Sequence, residues 1–243
     1  MTPRPTAAPK VVSREEWIAA RQEHLAQEKE LTRRSDALHA ERRRLPMVKI
    51  EKEYSFDTFS GKKSLAELFD GKKQLVVYHF MFDPKWDKGC PGCTGLVDAL
   101  GDLSLLGERN TAFSLISRAP LEKLEGYKKE RGWEQPWVSS FGSDFNYDFF
   151  ATLDREESPQ QFEAWEAAKY YKPHPEHSTF QGEQHGFSVF FREGEELFHT
   201  YSTFARGAEN MTNSYALLDM TPYGRQEDWE DSPAGWPQEP TYG

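Results

Sequence analysis

The sequence predicts an α/β protein with a mixed sheet, flanking helices and a helical extension at the N-terminus. A nearly continuous apolar run at residues 74–82 is typical of a central strand that is covered on both faces. Residues 186–192 and 197–203 flank a Glu-Gly-Glu-Glu turn, which is the pattern of an antiparallel hairpin. Helical periodicity between these segments indicates crossover connections, so we expect parallel and antiparallel strands in one sheet.

The N-terminal extension is predicted to be one long helix. Residues 1–10 are rich in Pro, Thr and Ala and are expected to be disordered. Ser13 and Glu16 make a capping box that begins a helix, and Pro46 is expected to end it. The apolar stripe of this helix is narrow and interrupted by charges, as in helices that pack one face on a domain or a partner. We therefore take the helix as the candidate contact for a homo-oligomer.

The remaining patterns follow the order strand, helix, strand, helix, hairpin, helix, which is the order of a thioredoxin-like fold. In chain order they are a short strand at 54–59, a helical turn at 64–69, the central strand, a helix over 94–108, a strand at 111–117, a helix from Pro120 to the stop signal Gly132, an extended segment at 137–141, the hairpin and a helix at 210–218. We therefore expect a disordered start and a long helix in residues 1–46, a thioredoxin-like domain at 47–224 and an irregular tail at 225–243. A charged, Pro-containing stretch near 151–185 is interpreted as an insertion in that domain.

The composition disfavours several classes of protein. The formal net charge is −10, whereas phosphate binding needs a concentrated positive field, so we expect no nucleic-acid partner. No apolar run is long enough to cross a bilayer, and the N-terminus lacks the apolar segment of a signal peptide. We therefore expect no membrane association and a cytoplasmic location.

The chain has only two cysteines, Cys90 and Cys93, whose spacing indicates a redox pair or half of a metal site. They fall where the central strand passes into a helix, and the helix dipole and free backbone N–H groups there stabilise a thiolate. Pro91 and Gly92 favour the tight turn that brings the sulfurs together. We assign Cys90 as the attacking sulfur and Cys93 as the sulfur that resolves a mixed disulfide. The expected substrate is a thiol or disulfide, in a protein or a small molecule, and no cofactor is expected.

Other side chains are candidates to tune this pair. Asp83 and Asp87 lie on the loop ahead of the cysteines, where a carboxylate can accept a thiol proton but its charge disfavours the thiolate. Trp86, on the same loop, can cover the pair from solvent. Arg118 after the second strand and Arg206 after the hairpin can hold an anionic group or steady a thiolate, although surface ion pairs are the commoner role.

The histidines suggest an alternative function, that of a non-catalytic module that binds a metal or a partner. His79 lies in the central strand, and His174 with His177 forms an HxxH pair in the predicted insertion. A histidine in an apolar strand is more often a hydrogen-bonded core residue, and an HxxH pair beside prolines is more often part of a surface loop. A second CxxC is lacking in the sequence, so we assign no metal site and keep this module as an alternative.

Four segments resemble a thioredoxin-like family long catalogued as a domain of unknown function. They are Phe-Asp-Pro-Lys-Trp-Asp-Lys-Gly-Cys-Pro-Gly-Cys at 82–93, Ser-Arg-Ala-Pro-Leu at 117–121, and the polar-aromatic stretches at 137–148 and 199–207. The resemblance extends over nearly the whole chain. Members of the family are generally described as predicted dithiol-disulfide oxidoreductases, so the resemblance implies the fold and a redox role for the two cysteines.

The cysteine segment also resembles the peroxiredoxin relatives of this superfamily. In those proteins a proline-led loop ends in one peroxidatic cysteine, which the Pro-Gly-Cys-Thr run at 91–94 matches. This resemblance implies a peroxiredoxin-like variant of the fold and an alternative enzyme, a thiol peroxidase. Cys93 would attack a peroxide and Cys90 would resolve the sulfenic acid. Arg118 or Arg206 would stabilise the thiolate.

The chain departs from the wider thioredoxin superfamily in one respect. Those proteins usually place a cis-proline just before the hairpin, facing the CxxC, whereas Gly186, Phe187 and Ser188 occupy that stretch here. The usual way of binding a substrate disulfide at that proline is therefore not expected.

Overall fold

The computed structural model, which describes residues 8–168 and 181–240, contains an eight-stranded mixed sheet. The strands in chain order are β1 (Val48–Lys49), β2 (Ser55–Thr58), β3 (Gly61–Ser64), β4 (Gln74–His79), β5 (Thr111–Ser117), β6 (Trp137–Ser139), β7 (Thr152–Leu153), β8 (Gly182–Glu183), β9 (Gly186–Glu193) and β10 (Glu196–Phe204). The order across the large sheet is β1-β10-β9-β4-β5-β6-β2-β3, while β7 and β8 form a separate two-stranded sheet. The apolar run of the sequence thus forms an interior strand, β4.

Helices connect and flank these strands. They are α1 (Arg14–Arg42), α2 (Leu65–Leu68), α3 (Pro91–Ala99), α4 (Ser104–Glu108), α5 (Leu121–Arg131), α6 (Phe145–Asp148), α7 (Pro159–Ala168) and α8 (Asn213–Leu218), with a 3-10 helix at Ala205–Met211. The chain divides into two compact units, Met47–Asn213 and the described residues of Met1–Pro46 with Ser214–Gly243. The large sheet and both cysteines belong to the first unit. Among the described helices, none is long and apolar enough to span a membrane.

Strand β4 has a parallel neighbour on one side and an antiparallel neighbour on the other. It pairs in parallel with β5, which pairs in parallel with β6. On its other side it pairs antiparallel with β9, which continues into its antiparallel partner β10. Helices α3, α4 and α5 supply the crossovers that parallel pairing requires. This topology confirms the predicted thioredoxin-like α/β fold with a mixed sheet and flanking helices.

Side chains alternate along β4 and contribute to two apolar cores, one on each face of the sheet. Leu75 and Val77 belong to the first core, whose other buried members include Phe56, Phe69, Ile116, Phe145 and Phe190. Tyr78 belongs to the second core, whose other buried members include Phe80, Phe82, Cys93, Leu115 and Trp137. Aromatic rings make up much of both cores, so a small number of side chains is enough to bury a large apolar area.

Helix α1 begins at the predicted capping box. The Glu16 N–H donates to Ser13 Oγ at 3.1 Å, and the Ser13 N–H donates to the Glu16 carboxylate at 2.9 Å. The helix ends at Arg42, ahead of Pro46, and none of the residues described for it is buried. Residues 1–7 of the expected disordered start lie outside the described residues. A homo-oligomeric contact through this helix stays a prediction.

The predicted single helix over 94–108 is wrong. Helix α3 ends at Ala99 and α4 begins at Ser104, and Leu100 between them has an extended conformation with ψ of 116°. The Asp102 carboxylate accepts a hydrogen bond from the Ser104 N–H at 2.8 Å, which holds the start of the second helix. Apolar spacing missed the break because leucines on both sides of it continue the helical period.

The stretch predicted as an insertion lies between β6 and β9. Its described part contains β7, α7 and β8, of which the two strands pair antiparallel. Phe162 and Trp165 of α7 are buried with Leu153 in a small third core. The His174 and His177 pair lies outside the described residues. The insertion and the limits of the thioredoxin-like domain stay predictions.

A chain of polar side chains crosses the sheet next to the first core. His79 Nε2 hydrogen-bonds Ser188 Oγ at 2.8 Å, which in turn hydrogen-bonds Ser202 Oγ at 2.8 Å. Ser202 Oγ lies 2.7 Å from His199 Nε2. Burial, with a smaller contribution from His199, lowers the pKa of His79 to about 3. His79 is therefore a neutral, hydrogen-bonded core residue, as its place in an apolar strand predicts.

We predict that His79 makes the fold sensitive to acid. The unfolded chain binds a proton at this residue below about pH 6.5, whereas the folded chain does so only near pH 3. Because the unfolded state binds more protons between these values, the free energy of unfolding falls as the pH drops through this window. The contribution of one such site approaches about 1.4 kcal/mol per pH unit. Urea unfolding at a series of pH values measures this slope.

The variant His79→Gln is the control, since the glutamine amide has its polar atoms at the ε position, from which His79 bonds Ser188, but does not titrate. We expect it to be less stable than the wild type at neutral pH and to lose less stability on acidification. His185 and His199, whose pKa values are also lowered by burial, remain in both proteins and supply the same background. Equal slopes in the two proteins would contradict the assignment.

Candidate active site

Both cysteines lie where β4 passes into α3. Beyond the end of β4 the Phe80 N–H still donates to a carbonyl of β5 at 2.9 Å, so the chain leaves the sheet in a fixed direction. The loop over 83–89 then turns back, and the Cys90 N–H donates to the Met81 carbonyl at 3.0 Å. Cys90 is thereby held at the N-cap of α3, with Pro91 as the first helical residue.

Gly89 allows this loop to close because a side chain does not fit at its position. A Cβ atom there would lie 2.5 Å from Phe80 Cε1 and 2.8 Å from Phe80 Cζ. The Phe80 ring is itself packed among the rings of Tyr127, Trp133 and Trp137. The close approach of the loop backbone to the second core therefore requires glycine.

Cys90 is the partly exposed member of the pair, and the two cysteines are not joined by a disulfide in the structure. Its pKa is lowered to about 6, chiefly because the Cys93 side chain donates a hydrogen bond to its sulfur. The N–H groups of Cys93 and Gly92 act in the same direction, and together these donors outweigh the opposing effect of burial. At neutral pH Cys90 is largely a thiolate, which is the reactive form of a cysteine.

Cys93 is the buried member of the pair, with 2% of its surface exposed. Burial raises its pKa well above the usual value, and the neighbouring Cys90 raises it further. Two hydrogen bonds oppose this rise: the Met81 N–H donates to Cys93 Sγ at 3.4 Å, and the Tyr78 hydroxyl also bonds the sulfur. The pair thus combines an accessible thiolate with a protected thiol.

The structure brings together two of the predicted supporting residues, Asp83 and Arg118, and adds Glu183 to them. Arg118 donates to Asp83 and to Glu183, each at 2.8 Å, and to the Tyr147 hydroxyl at 3.0 Å. The Glu183 side chain is 1% exposed. Burial raises the pKa of Glu183, although Arg118 acts to lower it. Arg118 therefore holds the loop ahead of the cysteines through Asp83.

Hydrogen bonds continue from Glu183 into the interior. Thr152 Oγ1 donates to Glu183 at 3.1 Å and accepts from Asn146 Nδ2 at 3.5 Å, and Ser140 Oγ donates to Asn146 Oδ1 at 2.6 Å. Glu183 could not be identified from the sequence because it lies in the predicted insertion, where no local pattern separates it from surface carboxylates. Its partner Arg118 is 65 residues away in the chain, so only the folded structure reveals the pair.

The other predicted supporting residues are exposed. The Trp86 side chain is 38% exposed, and its main-chain carbonyl accepts a hydrogen bond from the Lys123 ammonium at 2.7 Å. Asp87 is exposed as well. Arg206 is exposed and forms an ion pair with Glu209 at 3.3 Å. A role for these three residues at the cysteines stays a prediction.

A metal site at the two cysteines would need further ligands from neighbouring side chains. Over residues 8–168 and 181–240, no group of three or more His, Cys, Asp or Glu side chains is arranged to hold a metal ion. Within those ranges a third ligand for Cys90 and Cys93 is therefore lacking.

The sequence matches the family described as bacterial protein of unknown function (DUF899) over residues 6–242. The chain belongs to this family. The family resemblance expected from the cysteine segment and the three other segments is thereby confirmed. No protein of curated function is significantly similar to the chain in sequence.

Solved structures similar to the chain are distant in sequence. The bacterioferritin comigratory protein of Xanthomonas campestris, studied for alkyl peroxide reduction, is 17% identical, with 72% of this chain and 94% of that chain covered and a TM-score of 0.41. The peroxidoxin BcpB of Mycobacterium tuberculosis is 13% identical, with 72% and 97% covered and a TM-score of 0.39. A hypothetical protein of Sinorhizobium meliloti is 15% identical, with 63% and 68% covered and a TM-score of 0.35. The strand order described above is what identifies the fold.

We predict that the two thiols of the reduced protein differ in reactivity. Iodoacetamide is expected to modify Cys90 with a midpoint near pH 6 and Cys93 only after unfolding. Peptide mass spectrometry of protein alkylated across a pH series measures both. Cys93→Ala removes the hydrogen bond to Cys90 and is expected to move the Cys90 midpoint upward, while Cys93→Ser retains a donor and moves it less. An unchanged midpoint in Cys93→Ala would show that the bond between the thiols has no such effect.

We predict that Gly89→Ala disturbs the loop over 83–89, which precedes the cysteines. The added methyl group overlaps the Phe80 ring, so we expect the free energy of unfolding to fall by about 1–3 kcal/mol and Cys90 to react more slowly with iodoacetamide. Gly95→Ala in α3 is the matched control, because a Cβ there meets nothing within 4 Å. Alanine at this helical position is expected to raise the free energy of unfolding by up to about 1 kcal/mol. Chemical denaturation compares the two, and an equal loss in both variants would refute the steric argument.

Proposed function

We propose that the protein is a dithiol-disulfide oxidoreductase with Cys90 as the nucleophile and Cys93 as the resolving thiol. The observation that supports this proposal is the asymmetry of the pair. Cys90 is partly exposed and its pKa is lowered to about 6, whereas Cys93 is 2% exposed and its pKa is raised. Exchange through a mixed disulfide uses such an arrangement, in which an accessible thiolate attacks first and a protected thiol attacks second.

The proposed reaction consists of two exchanges. The Cys90 thiolate attacks one sulfur of a substrate disulfide, which forms a mixed disulfide and releases one substrate thiolate that takes up a proton. Cys93 then attacks the Cys90 sulfur, so the mixed bond breaks, the Cys90–Cys93 disulfide forms and the second substrate thiol leaves. The two electrons gained by the substrate come from the cysteine pair. A thiol reductant, either a protein dithiol or a small thiol such as glutathione, has to reduce the pair again.

The alternative of a thiol peroxidase with Cys93 as the peroxidatic sulfur has less support. Susceptibility to peroxide follows thiolate character and exposure, but Cys93 is buried and its pKa is raised. This alternative assigns Arg118 or Arg206 to the thiolate, but Arg118 forms ion pairs with Asp83 and Glu183, and Arg206 forms one with Glu209. These contacts favour disulfide exchange over peroxide reduction at Cys93.

We predict that the two thiols are lost together in a reversible two-electron oxidation. The purified protein is equilibrated with glutathione buffers of increasing disulfide content without oxygen, and free thiols are alkylated and counted by intact mass. Cys93→Ser is expected to accumulate a mixed disulfide between Cys90 and glutathione, because the resolving sulfur is missing. Cys90→Ser is expected to keep Cys93 unmodified.

Two results would contradict the proposal. Thiols that never pair at any buffer composition would favour the non-catalytic metal-binding or partner-binding module. Consumption of hydrogen peroxide that persists in Cys90→Ser and disappears in Cys93→Ser would instead support the peroxidase. The same three proteins, with wild type as reference, therefore separate the three functions.

A further inference from the structure

The burial of Cys93 creates a chemical difficulty for the second exchange. Attack on the mixed disulfide requires a Cys93 thiolate, but at 2% exposure a charge on this sulfur is disfavoured. In the reduced protein the Cys93 thiol donates to the Cys90 thiolate. Once Cys90 is bonded to a substrate sulfur it is no longer a thiolate, so another group has to stabilise Cys93 while it attacks.

Two hydrogen-bond donors face the Cys93 sulfur. The Met81 N–H lies 3.4 Å from it, and the second donor is the hydroxyl of Tyr78. Tyr78 is 1% exposed and shares the second core with Cys93, because alternation along β4 directs its side chain to that face. Its ring packs on Phe187 with centroids 4.7 Å apart, which limits the directions that the hydroxyl can take.

We propose that the Tyr78 hydroxyl is a catalytic group of the second exchange, in which it donates the hydrogen bond that stabilises the attacking Cys93 thiolate. This inference rests on the proposed dithiol-disulfide exchange. A phenol suits the position because it donates a hydrogen bond without adding charge. A buried carboxylate beside Cys93 would disfavour the thiolate by repulsion.

The step is balanced without a further reactant. The S–H bond of Cys93 breaks, a bond forms between the sulfurs of Cys93 and Cys90, and the bond between Cys90 and the substrate sulfur breaks. The proton from Cys93 ends on the departing substrate thiolate. Tyr78 keeps its own proton throughout and lowers the energy of the charged form of Cys93.

The test uses the chromogenic aromatic disulfide dithiobis(nitrobenzoate), mixed with reduced protein in a stopped-flow instrument. Attack by Cys90 releases one thionitrobenzoate, and resolution by Cys93 releases a second. Tyr78→Phe, which removes only the hydroxyl, is expected to keep the first phase at the wild-type rate and to slow the second about ten- to a hundredfold, the effect of a hydrogen bond to a charged group. The pH midpoint of the second phase is expected to rise in this variant, which a structural role alone would not produce.

Tyr127→Phe is the matched control. The Tyr127 hydroxyl is bonded to Thr94 Oγ1 at 2.9 Å, and its ring packs against the same core as Tyr78. This variant therefore loses a comparable hydroxyl whose bond is to a threonine, and both phases are expected to keep their wild-type rates. Intact mass of quenched samples should show the mixed disulfide accumulating in Tyr78→Phe and not in Tyr127→Phe.

The outcomes separate this inference from the proposed function. A second phase of unchanged rate in Tyr78→Phe would overturn the role of the hydroxyl and leave the proposed function standing. A wild-type protein that releases only the first equivalent would overturn the proposed function itself. Equal slowing in both tyrosine variants would indicate a general loss of core packing and would also overturn the inference.

Discussion

The burial of β4 on both faces is the constraint on which the rest of the structure depends. Because its side chains alternate, this strand supplies Leu75 and Val77 to one core and Tyr78 to the other. Its carboxyl end leads directly into the loop that precedes the cysteines. The Met81 carbonyl accepts a hydrogen bond from the Cys90 N–H, and the Met81 N–H donates one to the Cys93 sulfur. A displacement of this strand would therefore disturb both cores and the cysteine pair together.

The electrostatics of the site are set by groups close to it, because the negative charge of the whole chain would by itself disfavour a thiolate. The protein carries a formal net charge of −10, yet it stabilises a thiolate at Cys90. The donors responsible are the Cys93 thiol and two main-chain N–H groups, all within one turn of α3. The charge of Asp83 on the adjoining loop is balanced by Arg118, which also balances Glu183. Arg118 thus acts on the site through the carboxylates that it binds.

Features that depend on neighbours in the chain could be predicted from the sequence. The capping box at Ser13, the central strand, the hairpin and the place of Cys90 at a helix N-terminus are of this kind. The break at Leu100 and the burial of Glu183 could not be predicted, since both depend on tertiary contacts that leave no local pattern. Tyr78 is an intermediate case: alternation predicts that it shares a face with every second residue of β4, but not that its hydroxyl meets a cysteine.

The polar chain that crosses the sheet depends on the pairing of the two hairpin strands. His199 Nε2 lies 3.1 Å from the Tyr201 carbonyl, which only accepts, so this nitrogen carries a hydrogen. Ser202 Oγ bonds this nitrogen and Ser188 Oγ, and Ser188 Oγ bonds His79 Nε2. Ser188 and Ser202 are register partners on β9 and β10, so a shift of the hairpin by one residue would turn one of them to the other face of the sheet and break the chain. The nitrogen chemical shifts of the His79 ring are therefore expected to respond to the register of the hairpin.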